Sequence, residues 1–322
     1  MNKFKIAVID TALDIDKLSN DIRGKVEIID YFERDTNAVH SALVINTLLK
    51  YTDASFIEKI YLYNVFNKEK KGSGLAAVNA LEDILQKNDI VFLMMSITLT
   101  NEERYEYCES LCEKIVSSGT TIVASDSNRF MESRCYPFSF ECVYGVSRGE
   151  FLESPFFCVD DIKKKHIFGD SVAEFVHYGE NDYMLFGGNS KAVPKLLAEI
   201  INAMAKKRYF SRKNVEEWII ENSLPEDKNL LCKRNRPIYL SDDRIKIYDK
   251  ICNYIEEIPI GMNEYGSISP SFELIRLGSC DLVRFLVFIL ERFNISTRLD
   301  LMTYTDFETL GDFCNYIGRQ IK

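Results

Sequence analysis

The chain has 322 residues, enough for two domains with separate cores, and its 46% hydrophobic content is ordinary for a soluble fold. Its 40 Lys and Arg against 49 Asp and Glu leave a formal charge of −9, which argues against nucleic acid or an anionic membrane as a principal partner. The 9 cysteines are scattered without a C-x-x-C pair, and Cys108 and Cys112 have no histidine or second pair to complete a metal set, so reduced thiols and no metal site are expected.

The pattern begins at once. Lys5-Ile6-Ala7-Val8-Ile9-Asp10 reads as a short buried strand closed by a carboxylate, the form of a central parallel strand. One of only 3 histidines, His40, then opens an apolar-periodic helix. Lys71-Gly72-Ser73-Gly74 precedes a helix over about 75–87, and the apolar strand Ile90-Val91-Phe92-Leu93-Met94-Met95-Ser96-Ile97 follows. A second apolar strand runs from Thr121 toward Asn128, and a third includes Cys142-Val143-Tyr144-Gly145-Val146. His166 and His177 lie in alternating strand-like segments and read as surface or packing residues. Gly188-Asn189-Ser190-Lys191-Ala192-Val193-Pro194 places a serine at the mouth of a long helix, over about 190–207, with Leu196, Leu197, Ile200 and Met204 on its apolar face. Taken alone, a serine there reads as an ordinary N-cap. A second helix carries Val215, Trp218 and Ile219.

Residues 223–242 are polar and charged and read as a linker. Beyond them, residues 243–322 read as a compact helical domain. A first helix holds Ile247, Ile251, Tyr254 and Ile255, and a loop with Pro259, Gly261, Gly266 and Pro270 follows. A helix runs from Leu277-Gly278-Ser279 to Glu291-Arg292-Phe293, and a last one covers Thr309 to Ile317.

Taken together, the motifs of residues 1–222 resemble those of subtilisin-like serine proteases. Ile9-Asp10-Thr11 is similar to the family's V-I-D-T-G, His40-Ser41-Ala42 stands where it has H-G-T, and Ser190 to Pro194 follow its G-x-S-x-A-x-P. Gly72-Ser73-Gly74, Met95-Ser96-Ile97, Ser127-Asn128 and Tyr136-Pro137 match further segments in the same order. The resemblance implies an α/β fold, with a parallel sheet flanked by helices, and a peptidase domain over 1–222. It implies Ser190 as nucleophile, His40 as general base, Asp10 as its orienting carboxylate and Asn128 as oxyanion donor. Gly72, Ser73, Gly74 and Ser96 would flank the substrate backbone. Ala12, Ser41, Ala42, Thr98 and Ser127 stand where the family has other residues, mostly glycine, which implies a reshaped and narrower cleft. No cofactor is expected for the peptidase and no calcium site is assigned.

Residues 243–322 resemble an acyl or peptidyl carrier protein, a small all-α helical bundle. Leu277-Gly278-Ser279-Cys280-Asp281-Leu282 is similar to the carrier motif L-G-x-D-S-L-D-L, and Thr309 to Ile317 to its final helix. Ser279 aligns with the serine that carries 4'-phosphopantetheine, and an N-cap role stands beside that reading. Gly278, Cys280 and Arg284 depart from the surface that partner enzymes read.

The fusion of the two resembles maturation proteins for ribosomally made peptides. The resulting expectation is a protease that removes the leader of a precursor peptide, with the carrier-like domain docking a modifying enzyme or tethering a group. Two alternatives stay open: a scaffold that binds a peptide without cutting it, and an acyl or peptidyl transferase using Ser190 and a carrier thiol. The first strand starts within residues 1–10, so no signal peptide or inhibitory pro-domain is expected. The longest apolar stretches, about 90–97 and 282–290, are too short to span a bilayer, and a cytoplasmic location follows as the expectation.

Overall fold

The computed structural model describes residues 2–35, 38–69, 72–99, 104–127, 135–151, 155–179, 182–207, 210–226, 240–255 and 269–321, with the backbone alone at 255, 275, 276 and 278–280. Asn128 lies outside the described residues, as do most of the expected linker and the loop carrying Pro259, Gly261 and Gly266. The chain forms two compact units. The first comprises Met1–Val172, Tyr178–Glu180 and Gly187–Lys233, and the second Ala173–His177, Asn181–Phe186 and Arg234–Lys322.

The first unit is built on an eight-stranded sheet. Its strands are β1 (Phe4–Asp10), β2 (Val26–Asp30), β3 (Ile57–Asn64), β4 (Phe92–Met95), β5 (Thr121–Ser125), β6 (Tyr144–Gly149), β7 (Phe157–Asp161) and β8 (His166–Asp170). Their spatial order is β2-β3-β1-β4-β5-β6-β8-β7. All neighbours pair in parallel except β7 with β8 at one edge. Parallel pairing returns the chain to the same sheet end each time, so the loops after β1, β4 and β5 gather at one edge.

Helices cover both faces, which is why the central strands read as unbroken apolar runs rather than alternating ones. On one side α3 (Gly74–Lys87) and α4 (Tyr105–Ser117) pack with Ala7, Ile9, Leu93, Met95, Ile122 and Ala124. The pleat turns Ile6, Val8, Phe92, Met94 and Val123 to the opposite side. Those side chains are buried too, and on that side α2 (His40–Tyr51) packs with α5 (Asn189–Ala205). The unit also contains the short α1 (Asn20–Arg23) and α6 (Arg212–Asn222), which follows α5.

Close packing also fixes Gly145 in β6. A Cβ there would lie 2.6 Å from the Phe138 carbonyl oxygen and 2.8 Å from its ring. Gly145→Ala is therefore expected to destabilise the fold by about 1–3 kcal/mol through overpacking, read as a lower urea midpoint with unchanged slope.

In the second unit, the helices α7 (Asp242–Ile255), α8 (Gly278–Arg292) and α9 (Leu310–Gln320) are joined by an antiparallel hairpin, β9 (Glu174–His177) with β10 (Tyr183–Phe186). Phe285, Leu286, Ile289, Phe313 and Ile317 are fully buried in it. Thr309 caps α9 with a reciprocal box: its hydroxyl accepts from the Asp312 amide and Asp312 accepts from the Thr309 amide. Phe175 on β9 sits 4.8 Å from Phe307 between ring centres, and the Tyr183 hydroxyl on β10 donates to Asp300 Oδ1 at 3.0 Å. Arg298 donates to both Asp300 oxygens, and these bonds chiefly hold that carboxyl down at about 2.

Ser279 lies in the first turn of α8, and its side chain is outside the described residues. Among the described residues no helix is long and apolar enough to cross a membrane, and no disulfide is formed.

Candidate active site

The candidate residues converge at the sheet edge where β1 and β4 end. Asp10 is the last residue of β1 and is fully buried. His40 is the first residue of α2, so a helix start presents its ring to the strand end. Its Nδ1 lies 2.7 Å from Asp10 Oδ1, and about a third of its side chain, 32%, is exposed. The other two histidines pair elsewhere, His166 with Asp160 and Ser147, and His177 with Asp300.

Asp10 is held on several sides. The Thr11 amide donates to its Oδ1 at 2.6 Å and the Ser41 hydroxyl at 3.3 Å. Ser41 also donates to the Thr11 carbonyl at 2.6 Å. Ser41, one of the residues expected to narrow the cleft, is thus wholly buried and turned inward, where it anchors the carboxylate. Asp10 Oδ2 is buried without a hydrogen-bond partner among the described residues. A buried carboxylate of this kind needs a nearby cation or polarised N–H, and His40 supplies it.

Burial pulls the His40 imidazole down, but the charge of Asp10 and the hydrogen bond to it more than offset this. Its pKa is raised from the ordinary 6.5. An imidazole so placed has its Nδ1 fixed by a carboxylate, which sets its tautomer and ring orientation.

Ser190 is the second residue of α5 and is buried, with 8% exposed. Gly188 caps this helix at φ 80°, a conformation that only glycine adopts without strain, and this bends the chain sharply into the serine. Pro194 has no N–H, so the carbonyl of Ser190 loses its partner in the helix ladder. Ser96, the residue after β4, fills the gap: its hydroxyl donates to the Ser190 carbonyl at 3.3 Å. In return the Ser190 hydroxyl donates to the Ser96 carbonyl at 3.3 Å. No hydrogen bond joins Ser190 to His40 among the described residues.

A cavity of ≈ 280 Å³ opens beside this cluster. His40, Ser96, Ala12, Phe66 and Ile97 line it, and Asp35 is the one carboxylate among its described lining residues. The Gly72-Ser73-Gly74 segment is anchored next to it. Gly72 forms an isolated bridge with Phe66, whose ring would lie 3.1 Å from a Cβ placed there, and Ser73 caps α3 by accepting from the Ala76 amide. Gly74 is the first residue of that helix.

Two features lie outside the residues singled out from the sequence. Asn189 donates from Nδ2 to the carbonyls of Asp126 and Ser127 at 3.2 and 3.0 Å, so the segment leading into Asn128 is tied to the residue before Ser190. Lys191 and Lys195, both buried, meet Asp170 at the end of β8. The available signal was two lysines one turn apart on an otherwise apolar helix face.

No protein-family model matches the chain, and no curated protein matches it. Among solved structures, it is similar to a lanthipeptide protease at 14% identity and a TM-score of 0.49, over 66% of this chain and 78% of that one. It is also similar to a cold adapted subtilisin-like serine proteinase at 13% identity and a TM-score of 0.50, over 67% of this chain and 80% of that one. With the mostly parallel eight-stranded sheet and its two helical layers, the second likeness shows that the chain has the subtilisin-like α/β fold.

Proposed function

We propose that the chain is a serine endopeptidase with a restricted peptide substrate, and that it removes the leader from a ribosomally made precursor peptide in the cytoplasm. The observation that carries the reading is the 2.7 Å contact of His40 Nδ1 with buried Asp10, with Ser190 at a helix start bonded to Ser96, which lines the same cavity as His40. Ser190 Oγ would attack the scissile carbonyl while His40 Nε2 takes its proton. Asp10 holds the tautomer and stabilises the imidazolium. The Ser190 amide and Asn128 would donate to the oxyanion, each such donor contributing about 3–4 kcal/mol. His40 then returns the proton to the leaving amine, and water releases the acyl group by the reverse sequence.

The restricted specificity has a physical basis in the cavity beside His40. At ≈ 280 Å³, with Val39, Phe66 and Ile97 on its walls, it suits one medium-sized apolar side chain of a peptide. In this reading residues 243–322 act as a carrier-like docking or tethering domain for a modifying enzyme, with 4'-phosphopantetheine on Ser279 as the group it would hold.

One observation favours a second reading, a peptide-binding scaffold without cleavage: the Ser190 hydroxyl donates to the Ser96 carbonyl and not to His40. Nucleophile–base contacts are often loose before substrate arrives, so the geometry admits both readings. Labelling of the folded, full-length protein with a fluorophosphonate, read by intact mass, separates them. Stoichiometric labelling supports the peptidase, and no labelling supports the scaffold. The same spectrum shows whether Ser279 carries the prosthetic group when the host supplies a transferase.

A further inference from the structure

Three buried charges sit directly behind the candidate nucleophile. Asp170 Oδ2 accepts from Lys191 Nζ at 2.8 Å and from Lys195 Nζ at 2.5 Å, and all three residues are less than 5% exposed. Lys191 Nζ also donates to the Val172 carbonyl at 2.7 Å. Between them, the Gly188 amide donates to the Ser171 carbonyl at 2.8 Å. Residues 170–172 thus grip the nucleophile segment at Gly188, Lys191 and Lys195.

Packing does not require these charges. Apart from Asn189, Ser190 and the two lysines, the buried residues of α5 are apolar, and hydrophobic replacements for buried ion clusters are often as stable or more so. What the cluster adds is direction. A lysine held by two acceptors in a dry site has one geometry, whereas a methionine has several. Direction matters most in the first turn of α5, because Pro194 removes the helical bond to the Ser190 carbonyl and leaves that turn dependent on tertiary ties. Ser96 and the Asn189 side-chain amide tie the segment to the loops after β4 and β5, and Lys191, the neighbour of Ser190, ties it to the end of β8. Lys195 lies one turn further on, where the helix ladder resumes, and is steadied by the rings of Phe156 at 3.8 Å and Tyr51 at 4.5 Å.

We infer that Asp170 and Lys191 are positioning residues that hold the first turn of α5, and with it the Ser190 hydroxyl, in register with His40. Lys195 shares the same carboxylate but acts on stability alone. The inference rests on the peptidase reading for its catalytic consequence and on the geometry for its structural one.

Lys191→Met and Lys195→Met in the full chain separate the two roles, since each breaks one bond to the same buried carboxylate. Both are expected to lower the melting temperature. Only Lys191→Met should slow fluorophosphonate labelling, on the order of 10²-fold at a temperature well below both midpoints, as a nucleophile misplaced by about 1 Å would. Only Lys191→Met should speed amide hydrogen exchange in the peptide spanning 187–193, and Lys191→Arg should restore both readouts.

Equal effects of the two methionine variants on labelling and exchange would overturn the inference, as would unchanged exchange in Lys191→Met. If the unaltered protein does not label at all, the peptidase reading fails, while the exchange comparison still decides the positioning role. If Lys191→Met does not fold, Asp170→Asn, which keeps the side-chain shape, carries the same expectation against Lys195→Met.

Discussion

Ser190→Ala is expected to abolish fluorophosphonate labelling and to lower cleavage of a susceptible peptide by on the order of 10⁶-fold, the loss seen when one member of a cooperating catalytic set is removed. The fold should survive the change. The Ser190 side chain makes one long hydrogen bond, 3.3 Å to the Ser96 carbonyl, and alanine suits a helix start lacking any side-chain cap bond. The stability cost is therefore about 1 kcal/mol or less. The test is a paired measurement of labelling and urea unfolding. Equal cleavage by the alanine variant would refute Ser190 as nucleophile, whereas an unfolded variant would leave cleavage to be tested with Ser190→Cys.

Asp10→Asn is expected to lower the maximal cleavage rate by about 10⁴-fold, because an amide can hold the imidazole in the wrong tautomer and cannot balance the imidazolium. Its signature lies in the pH profile. In the unaltered protein, burial lowers the His40 pKa while the Asp10 charge and hydrogen bond raise it further, for a net shift above 6.5. Neutral imidazole is the base, so cleavage should rise with pH through a midpoint above 6.5.

Stability runs the other way. A raised folded-state pKa means the charged pair stabilises the fold fully below the ordinary imidazole value. That contribution fades as pH rises through the raised value. In Asp10→Asn the upward pull of the charge is gone and burial remains, so the midpoint should move down. Titration of the His40 ring signal by NMR in both proteins measures this without activity. A midpoint that stays put in the variant would show that Asp10 does not control His40.

Much of the candidate active site was legible in the sequence because its signals are local. An apolar run closed by Asp10 is a buried strand end at any distance from its partners, and Gly188 before Asn189-Ser190 marks a helix start whatever packs around it. The apolar runs through Val8, Met94 and Val123 likewise announce strands covered on both faces. The allegiance of the β9–β10 hairpin was not legible. Its four-residue strands alternate weakly, and only Phe175 against Phe307 and Tyr183 against Asp300, across more than a hundred residues, assign it to the second unit.

The sequence by itself determined which groups lie at strand ends and helix starts, since those depend on backbone preferences within a few residues. Tertiary structure alone decided what each group meets. Ser41 reads as a residue that narrows a cleft, yet it folds inward onto Asp10. Lys191 and Lys195, which the sequence did not single out, are both buried against Asp170, some twenty residues earlier in the chain. Burial of a charge is a property of the surroundings and not of the residue. Whether a lysine is solvated or clamped is therefore settled only when β8 and α5 come together.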